Sequence, residues 1–221
     1  MRGCTICEQS NLTLLQGADI LATSDDEKKY RVFAPDFLKG TYAQISWFPP
    51  DTEEKSKKLG DLFSGVANPQ TVTPEVISFS QKLAKDNPKI KKWAIIGFCW
   101  GGKLTALTLN SSDMFSAAAS CHPAMVSEKD AAGIKTPFLM LPSKDEDAAD
   151  VKAFASALKV EHKVETFSDQ IHVTMHLLES EFLIVTLLTT SQGWMGARGD
   201  LDDKHVNSEY KRGYETVLHF L

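Results

Sequence analysis

One short stretch of the sequence, GFCWGG at 97–102, places a thiol where nucleophilic catalysis is feasible. It joins an apolar run to a run with helical character, so it predicts a strand–turn–helix with Cys99 in the sharp turn. Such a turn leaves little room for side chains two residues either side of the nucleophile, and Gly97 and Gly101 meet that demand. The N-terminus of the following helix favours a thiolate and an anionic intermediate. The backbone N–H of Trp100 is then the predicted oxyanion donor.

Glycine-rich turns between a strand and a helix also bind phosphate groups, so this alternative has to be weighed against the thiol. A dinucleotide-binding turn needs the spacing G-x-G-x-x-G, and a P-loop needs G-x-x-x-x-G-K-[ST]. Neither complete motif is present around Cys99, because Leu104 follows Lys103 where a P-loop has Ser or Thr. The motif therefore favours a nucleophile elbow.

An elbow of this kind predicts an acid and then a histidine further along the chain. The segment TPFLMLPSKDED ends an apolar strand in acidic residues, so Asp145, or as second choice Asp147, is the predicted acid. The segment VETFSDQIH ends the next strand at His172, the predicted base. All three site residues then lie at the C-terminal ends of strands, where open α/β sheets place their ligands.

A second histidine, His122, competes for the role of base because it also ends a predicted strand. It precedes every candidate acid and is followed by Pro123, so we interpret it as a residue of the site wall. In the favoured scheme, His172 keeps Cys99 as a thiolate or accepts its proton, and Asp145 holds the imidazole tautomer. Water then cleaves the thioester.

The elements that must position these groups alternate between helix and strand, which predicts a single α/β domain with a mainly parallel sheet. Helices are predicted over 14–23, 52–65, 73–88, 101–110, 147–160 and 204–221. Strands are predicted over 29–37, 91–98, 115–122, 136–142 and 162–170.

Length and charge narrow the possible partners. The 221 residues, 43% hydrophobic with a formal net charge of −5, suit one globular domain and no nucleic-acid partner. The apolar run 181–188 is too short to span a membrane, and no secretory signal is evident, so we expect a cytoplasmic protein. Cys4 and Cys7 form a C-x-x-C, but they lack a second ligand pair or a preceding strand, which favours two incidental thiols over a redox or zinc site.

The chain resembles the fungal-type members of the dienelactone hydrolase family. The matching segments span most of residues 14–221 and include LQGADILA, YRVFAPDF, WAIIGFCWGGK, CHPAMV, SKDEDAADV, VETFSDQIH and GWMGARGDLDD. The resemblance implies an α/β-hydrolase-like three-layer fold and a triad of Cys99, His172 and an aspartate of SKDED. It also implies a small ester or lactone substrate and no cofactor. We further expect no metal, and a monomer or homodimer.

Two further residues are candidates for contact with substrate. Arg198, in the GARGD loop, resembles a position that binds a substrate carboxylate in some members of the family, and a surface arginine is the alternative. Trp194, like Trp47, Phe48 and Trp100, could line a pocket, or it could belong to the core or an interface.

The chain departs from the family pattern in two places. The family has strands before the LQGADILA segment, with a loop that supplies a second oxyanion N–H, and we expect these N-terminal strands to be missing here. The family also has Gly-aromatic directly after the triad histidine, whereas here 173–192 separates His172 from Gly193. Excising that segment restores SDQIHGWMGARGD, so 173–192 is predicted to be an insertion.

The origin of this insertion has two explanations. Codons for Val begin with GT and one Gln codon ends with AG, which are the boundary dinucleotides of an intron, so we hypothesise that 173–192 is a retained intron. A lid over the site is the alternative. These departures also leave a second hypothesis for the whole chain, a truncated or mis-spliced product or pseudoenzyme without hydrolase activity.

Overall fold

A computed structural model describes residues 16–23, 30–170, 183–187, 194–195 and 201–221. In this part of the chain one sheet contains six strands. They are β1 (Arg31–Phe33), β2 (Trp93–Phe98), β3 (Ala117–Cys121), β4 (Phe138–Leu141), β5 (His162–Val164) and β6 (Leu183–Leu187). All the pairings are parallel, and the order across the sheet is β1-β6-β2-β3-β4-β5. The predicted parallel sheet is confirmed.

Helices cover both faces of this sheet. They are α1 (16–23), α2 (Glu53–Ser64), α3 (Pro69–Asp86), α4 (Trp100–Ser111), α5 (Ala148–Ala157) and α6 (Lys204–Phe220). Two short 3-10 helices, Ile45–Trp47 and Glu128–Asp130, lie in connections. The N-cap residues Thr52, Asn68, Asp147 and Asp203 each accept backbone N–H groups of the helix that follows, as short polar side chains do at helix starts.

Two separate cores lie on the two faces of the sheet. The neighbouring residues Ile95 and Ile96 of β2 are fully buried in different cores, because successive side chains of a strand point to opposite faces. One core contains apolar residues of α2, α3, α4 and α5, and the other contains residues of α1 and α6. The result is the predicted three-layer arrangement, in which β2, β3 and β4 are covered on both sides.

The predicted start of α3 was wrong. We expected the helix to begin at Thr73, but it begins at Pro69, and Pro74 lies inside it. Asn68 Oδ1 accepts the N–H of Gln70 at 2.9 Å, and Pro69 occupies the first helical position, where its missing N–H has no cost. The sequence thus contains two helix-start signals, Asn68-Pro69 and Thr73-Pro74, and the helix begins at the first of them.

Strand β6 was not among the predicted elements. It lies between β1 and β2, with Ile184 opposite Val32 on one side and opposite Ala94 on the other. It is formed by part of 173–192, so five residues of the predicted insertion occupy an inner position of the sheet. Whether 173–192 is an insertion into the family motif stays a prediction.

Several predicted features lie outside the described residues: Cys4, Cys7, His172, Gly193 and Arg198. Among the helices that the structure describes, none has both the length and the apolar composition needed to cross a membrane. The cytoplasmic location and the monomeric or dimeric state stay predictions.

Candidate active site

Cys99 occupies the turn between β2 and α4 with φ 53° and ψ −116°. A positive φ is uncommon for a residue with a side chain, and such conformations concentrate at functional sites. Hydrogen bonds hold the turn in place: the N–H of Cys99 donates to Cys121 O at 3.1 Å, and Cys99 O accepts from Gly102 and Ala124 N–H, both at 2.9 Å. The half-buried thiol therefore sits on a rigid backbone.

The glycine requirement predicted for the elbow is confirmed at Gly97. A Cβ at this position would lie 2.1 Å from Gly101 O and 2.4 Å from Thr105 Oγ1, and neither helix atom has room to withdraw. Gly102 carries a second restriction that the sequence analysis did not identify, because a Cβ there would lie 2.4 Å from Ser120 Oγ. The turn thus excludes side chains on both sides of Cys99.

The backbone N–H of Trp100 begins α4 directly after the thiol. Within the part of the chain that the structure describes, this N–H has no hydrogen-bond acceptor, as expected for the first turn of a helix. The indole of Trp100 is buried in the core, and its Nε1 donates to Ala67 O at 2.8 Å. The backbone can therefore act as an oxyanion donor while the side chain anchors the helix start.

The two described cysteines differ in their surroundings. Cys121 is fully buried, and burial raises the pKa of its thiol, so it stays protonated and inert. Cys99 is only half-buried and lies at the N-terminal end of a helix. Of these two thiols, Cys99 is the one placed for reaction.

The two candidate acids follow β4 but have different partners. Asp147 is the N-cap of α5, and its Oδ1 accepts the N–H groups of Ala149 at 2.8 Å and Asp150 at 3.0 Å. Asp145 lies two residues earlier on the loop, where its N–H donates to Ser143 Oγ at 3.2 Å. The carboxylate of Asp147 is therefore engaged by its own helix, and the choice of Asp145 as the acid stays a prediction.

The segment that leads to His172 lies beside this acid loop. The N–H of Phe167 donates to Pro142 O at 2.8 Å, and the N–H of Lys144 donates to Gln170 O at 3.1 Å. Gln170 is buried. The residue just before Asp145 is thus bonded to Gln170, the last described residue before His172 in the sequence, and His172 itself lies outside the described residues.

His122, the competing histidine, is buried directly after β3. Its N–H donates to Leu141 O at 2.7 Å, and its ring centroid lies 5.8 Å from that of Phe98. Because Cys121 O accepts the N–H of Cys99, His122 follows a residue that touches the elbow. This placement agrees with a residue of the site wall, and that role stays a prediction.

Trp194 is 1% exposed and belongs to the core under α6. Its ring stacks on that of Phe167, with centroids 4.2 Å apart, and a Cβ added at Gly213 would lie 2.5 Å from it. Of the two alternatives for this tryptophan, the packing favours the core. Its contact with substrate stays a prediction that this burial does not support.

Lys103 was missed by the sequence analysis. It pairs with Asp130, and its Nζ donates to Met125 O at 3.2 Å, so it ties the loop after β3 to α4. The signal was available, because Lys103 follows the elbow by one turn of the predicted helix. Its role is to hold the loop beside Cys99.

Most of the chain is similar to known proteins. Residues 23–176 match the model of a family described as the dienelactone hydrolase family. An uncharacterized AIM2 family protein of Schizosaccharomyces pombe is 32% identical over 210 residues, which are 93% of this chain and 74% of the relative. A human carboxymethylenebutenolidase homolog is 27% identical over 154 residues, 66% of this chain and 60% of the human protein. The crystal structure of a predicted CIB-like hydrolase from Thermoplasma acidophilum matches 66% of this chain and 60% of the hydrolase chain. The TM-score is 0.40 and the sequence identity is 14%.

Proposed function

Because this chain belongs to the dienelactone hydrolase family, we propose that it hydrolyses a small carboxylic ester or lactone with Cys99 as nucleophile. The observation that carries the proposal is the left-handed backbone of Cys99 at the junction of β2 and α4, beside a glycine that cannot bear a Cβ. This geometry presents a thiol at the start of a helix whose first N–H, that of Trp100, has no acceptor among the described residues and can receive negative charge.

The first step is attack of the Cys99 thiolate on the carbonyl carbon of the substrate. A C–S bond forms, and the carbonyl oxygen becomes an oxyanion that accepts the Trp100 N–H. The oxyanion then collapses and expels the alcohol oxygen, which takes a proton from His172. In a lactone this opens the ring and leaves both parts of the substrate on the enzyme as one thioester.

The second step is hydrolysis of the thioester. His172 accepts a proton from water, the hydroxide attacks the carbonyl carbon, and the C–S bond breaks to release the carboxylate and restore the thiolate. Asp145 orients the imidazole and stabilises its positive form. The proximity of 167–170 to the loop after β4 supports this pairing. Arg198 is the proposed partner of a substrate carboxylate, which would suit an anionic ester.

A second candidate is a chain of the same fold that does not turn over substrate. The observation in its favour is the position of β6, since part of the segment that directly follows His172 is taken up between β1 and β2. The position of a base that precedes this strand in the sequence depends on where the strand lies in the sheet. The two candidates differ in one measurable property, Cys99-dependent hydrolysis.

The test compares hydrolysis of a chromogenic short-chain aryl ester by wild type, Cys99→Ala and Cys121→Ala. Loss of the nucleophile is expected to lower kcat by about 10³-fold or more. Cys121→Ala removes a buried thiol that takes no part in the reaction, so its kcat stays within about threefold of wild type. Retention of hydrolysis by Cys99→Ala, or its absence from the wild type, would contradict the proposal.

A further inference from the structure

We propose that Arg212 of α6 is a positioning residue for the reaction, holding segment 165–170 against the loop after β4 that carries the proposed acid Asp145. The inference rests on the proposed function. It concerns a residue that touches neither the thiol nor the substrate, and that the sequence motifs do not mark.

The first contact is a stack on Phe167. The guanidinium carbon of Arg212 lies 3.8 Å from the centre of the Phe167 ring, and the ring of Trp194 lies 4.2 Å from the same centre. Both groups cannot occupy one face of the ring at these distances, so Phe167 is held between them. A planar guanidinium suits this stack, whereas a lysine ammonium does not.

The second contact is a pair of carboxylates that orient the guanidinium. Arg212 Nη2 lies 2.5 Å from Glu209 Oε2, and Arg212 Nε donates to Glu209 Oε1 at 3.1 Å. Arg212 Nη1 pairs with Glu165, directly after β5. Glu209 precedes Arg212 by three residues on the same helix, so it orients the Arg212 guanidinium from within α6. The remaining nitrogen then reaches across to the segment after the strand.

The held segment is hydrogen-bonded to β4 and to the acid loop that follows it. From Glu165 onward, its N–H groups donate to Met140 O at 3.0 Å and, at Phe167, to Pro142 O at 2.8 Å. At its far end, Gln170 O accepts the N–H of Lys144, the neighbour of Asp145. A shift of Phe167 therefore moves the loop that carries Asp145.

The backbone alone holds this segment weakly, because β5 is an edge strand of three residues and 165–170 continues it through isolated bonds. A second side-chain contact from α6, His205 Nε2 to Asp169, lies on the exposed surface. Arg212 is the contact that reaches the buried ring. A misplacement of about 1 Å at a distance from the chemistry lowers turnover by about 10²-fold.

The experiment compares wild type with Arg212→Gln, Arg212→Lys and a matched control, Lys163→Gln. Lys163 pairs with the same Glu165 carboxylate at 2.7 Å, and among the described residues it has no ion pair or ring contact with Phe167 or α6. The measurements are kcat and KM for the chromogenic ester, and the pH dependence of Cys99 alkylation by iodoacetamide, which reports how readily the Cys99 thiolate forms. Circular dichroism establishes that each variant is folded.

For Arg212→Gln we expect kcat to fall by about 10- to 100-fold, with KM within about threefold and the alkylation profile shifted to higher pH. Arg212→Lys keeps the charge but loses the planar stack, so its kcat is expected to lie between those of wild type and Arg212→Gln. Lys163→Gln is expected to match wild type. A folded Arg212→Gln with wild-type kcat and alkylation profile would overturn the inference, as would an equal loss in Lys163→Gln.

Failure of the role proposed for Arg212 and failure of the proposed function give different results. A wild type without Cys99-dependent hydrolysis overturns the function. The alkylation profiles then test the role of Arg212 alone: a shift in Arg212→Gln supports that role, and coincident profiles overturn it. If Arg212→Gln does not fold, Arg212→Lys carries the comparison in the same way.

Discussion

The elbow and segment 165–170 both follow the C-terminal end of a parallel strand, but different contacts hold them there. The atoms that shape the elbow, Gly101 O and Thr105 Oγ1, are close to Gly97 in the sequence. Segment 165–170 is held by β4 on one side and by Arg212 on the other, 47 residues from Glu165. One half of the proposed site is therefore built by its own motif, and the other half is built by the fold.

This difference predicts how each half responds to mutation. An element shaped by local sterics fails abruptly, because there is no alternative packing for a backbone clash. An element held by several distant side chains loses alignment in steps, as each contact is removed. The following predictions test that distinction, from the largest expected effect to the smallest.

Gly97→Ala is expected to abolish the elbow. The new Cβ would lie 2.1 Å from a backbone oxygen of α4, and the strand and helix would have to separate at a cost of about 3 kcal/mol or more. Urea unfolding and ester hydrolysis measure the loss. The control is Gly60→Ala, where a Cβ meets nothing within 4 Å on helix α2, so stability rises by about 0.5–1 kcal/mol. A Gly97→Ala protein with wild-type stability would contradict the steric account.

Asp145→Asn is expected to lower kcat by about 10²- to 10⁴-fold without unfolding the protein, because an amide cannot stabilise the imidazolium. The matched variant, Asp147→Ala, removes the N-cap of α5 and costs about 1 kcal/mol of stability, with kcat within about twofold. Steady-state kinetics and thermal unfolding of both variants check the assignment. The opposite pattern, with turnover lost only in Asp147→Ala, would make Asp147 the acid.

Ile184→Pro tests whether β6 is needed between its two neighbours. Proline removes one N–H from a strand that is paired on both sides, so we expect a loss of about 1–3 kcal/mol in the free energy of unfolding. Ile184→Val keeps the ladder and is expected to stay within about 1.5 kcal/mol of wild type. Equal stability of the proline variant and wild type would show that the sheet does not depend on this strand.

Deletion of 173–192 sharpens the same question. A retained intron predicts that the shortened chain, with SDQIHGWMGARGD restored, is at least as stable and active as wild type. A structural role for β6 predicts that it is less stable, because β1 loses its partner in the described part of the sheet. Sequencing of mature transcripts tests the intron hypothesis directly, and the presence of 173–192 in every message would contradict it.

The smallest expected effect is the pH dependence at Glu165. The hydrogen bond from Lys163, followed by the charges of Lys163 and Arg212, lowers the pKa of this carboxyl below its ordinary value, against the opposing effect of burial. A lowered pKa in the folded state gives stability that is present above about pH 4.3 and is lost as the pH falls through the folded value. We expect wild type to be more stable than Glu165→Gln by under about 1 kcal/mol at pH 7, with the difference shrinking below about pH 4. A difference that does not vary with pH would contradict this.

The extent to which the sequence predicts each element follows from the same distinction. The elbow, β2, β3, β4 and α5 were all predicted close to their observed bounds, because apolar periodicity, caps and glycine spacing are local signals. The start of α3 was misplaced because Asn68-Pro69 and Thr73-Pro74 both resemble helix starts, and only packing selects between them. Strand β6 was missed because an apolar run of that length has no periodicity that assigns it to a sheet.

By itself the sequence determined the α/β alternation, the thiol at Cys99 and the glycine that its turn requires, since each depends on atoms a few residues apart. The tertiary structure decided that Trp194 is buried against Phe167 and that 183–187 is an inner strand. These outcomes depend on contacts between segments far apart along the chain, and the energies of such contacts are set by packing that no short motif contains.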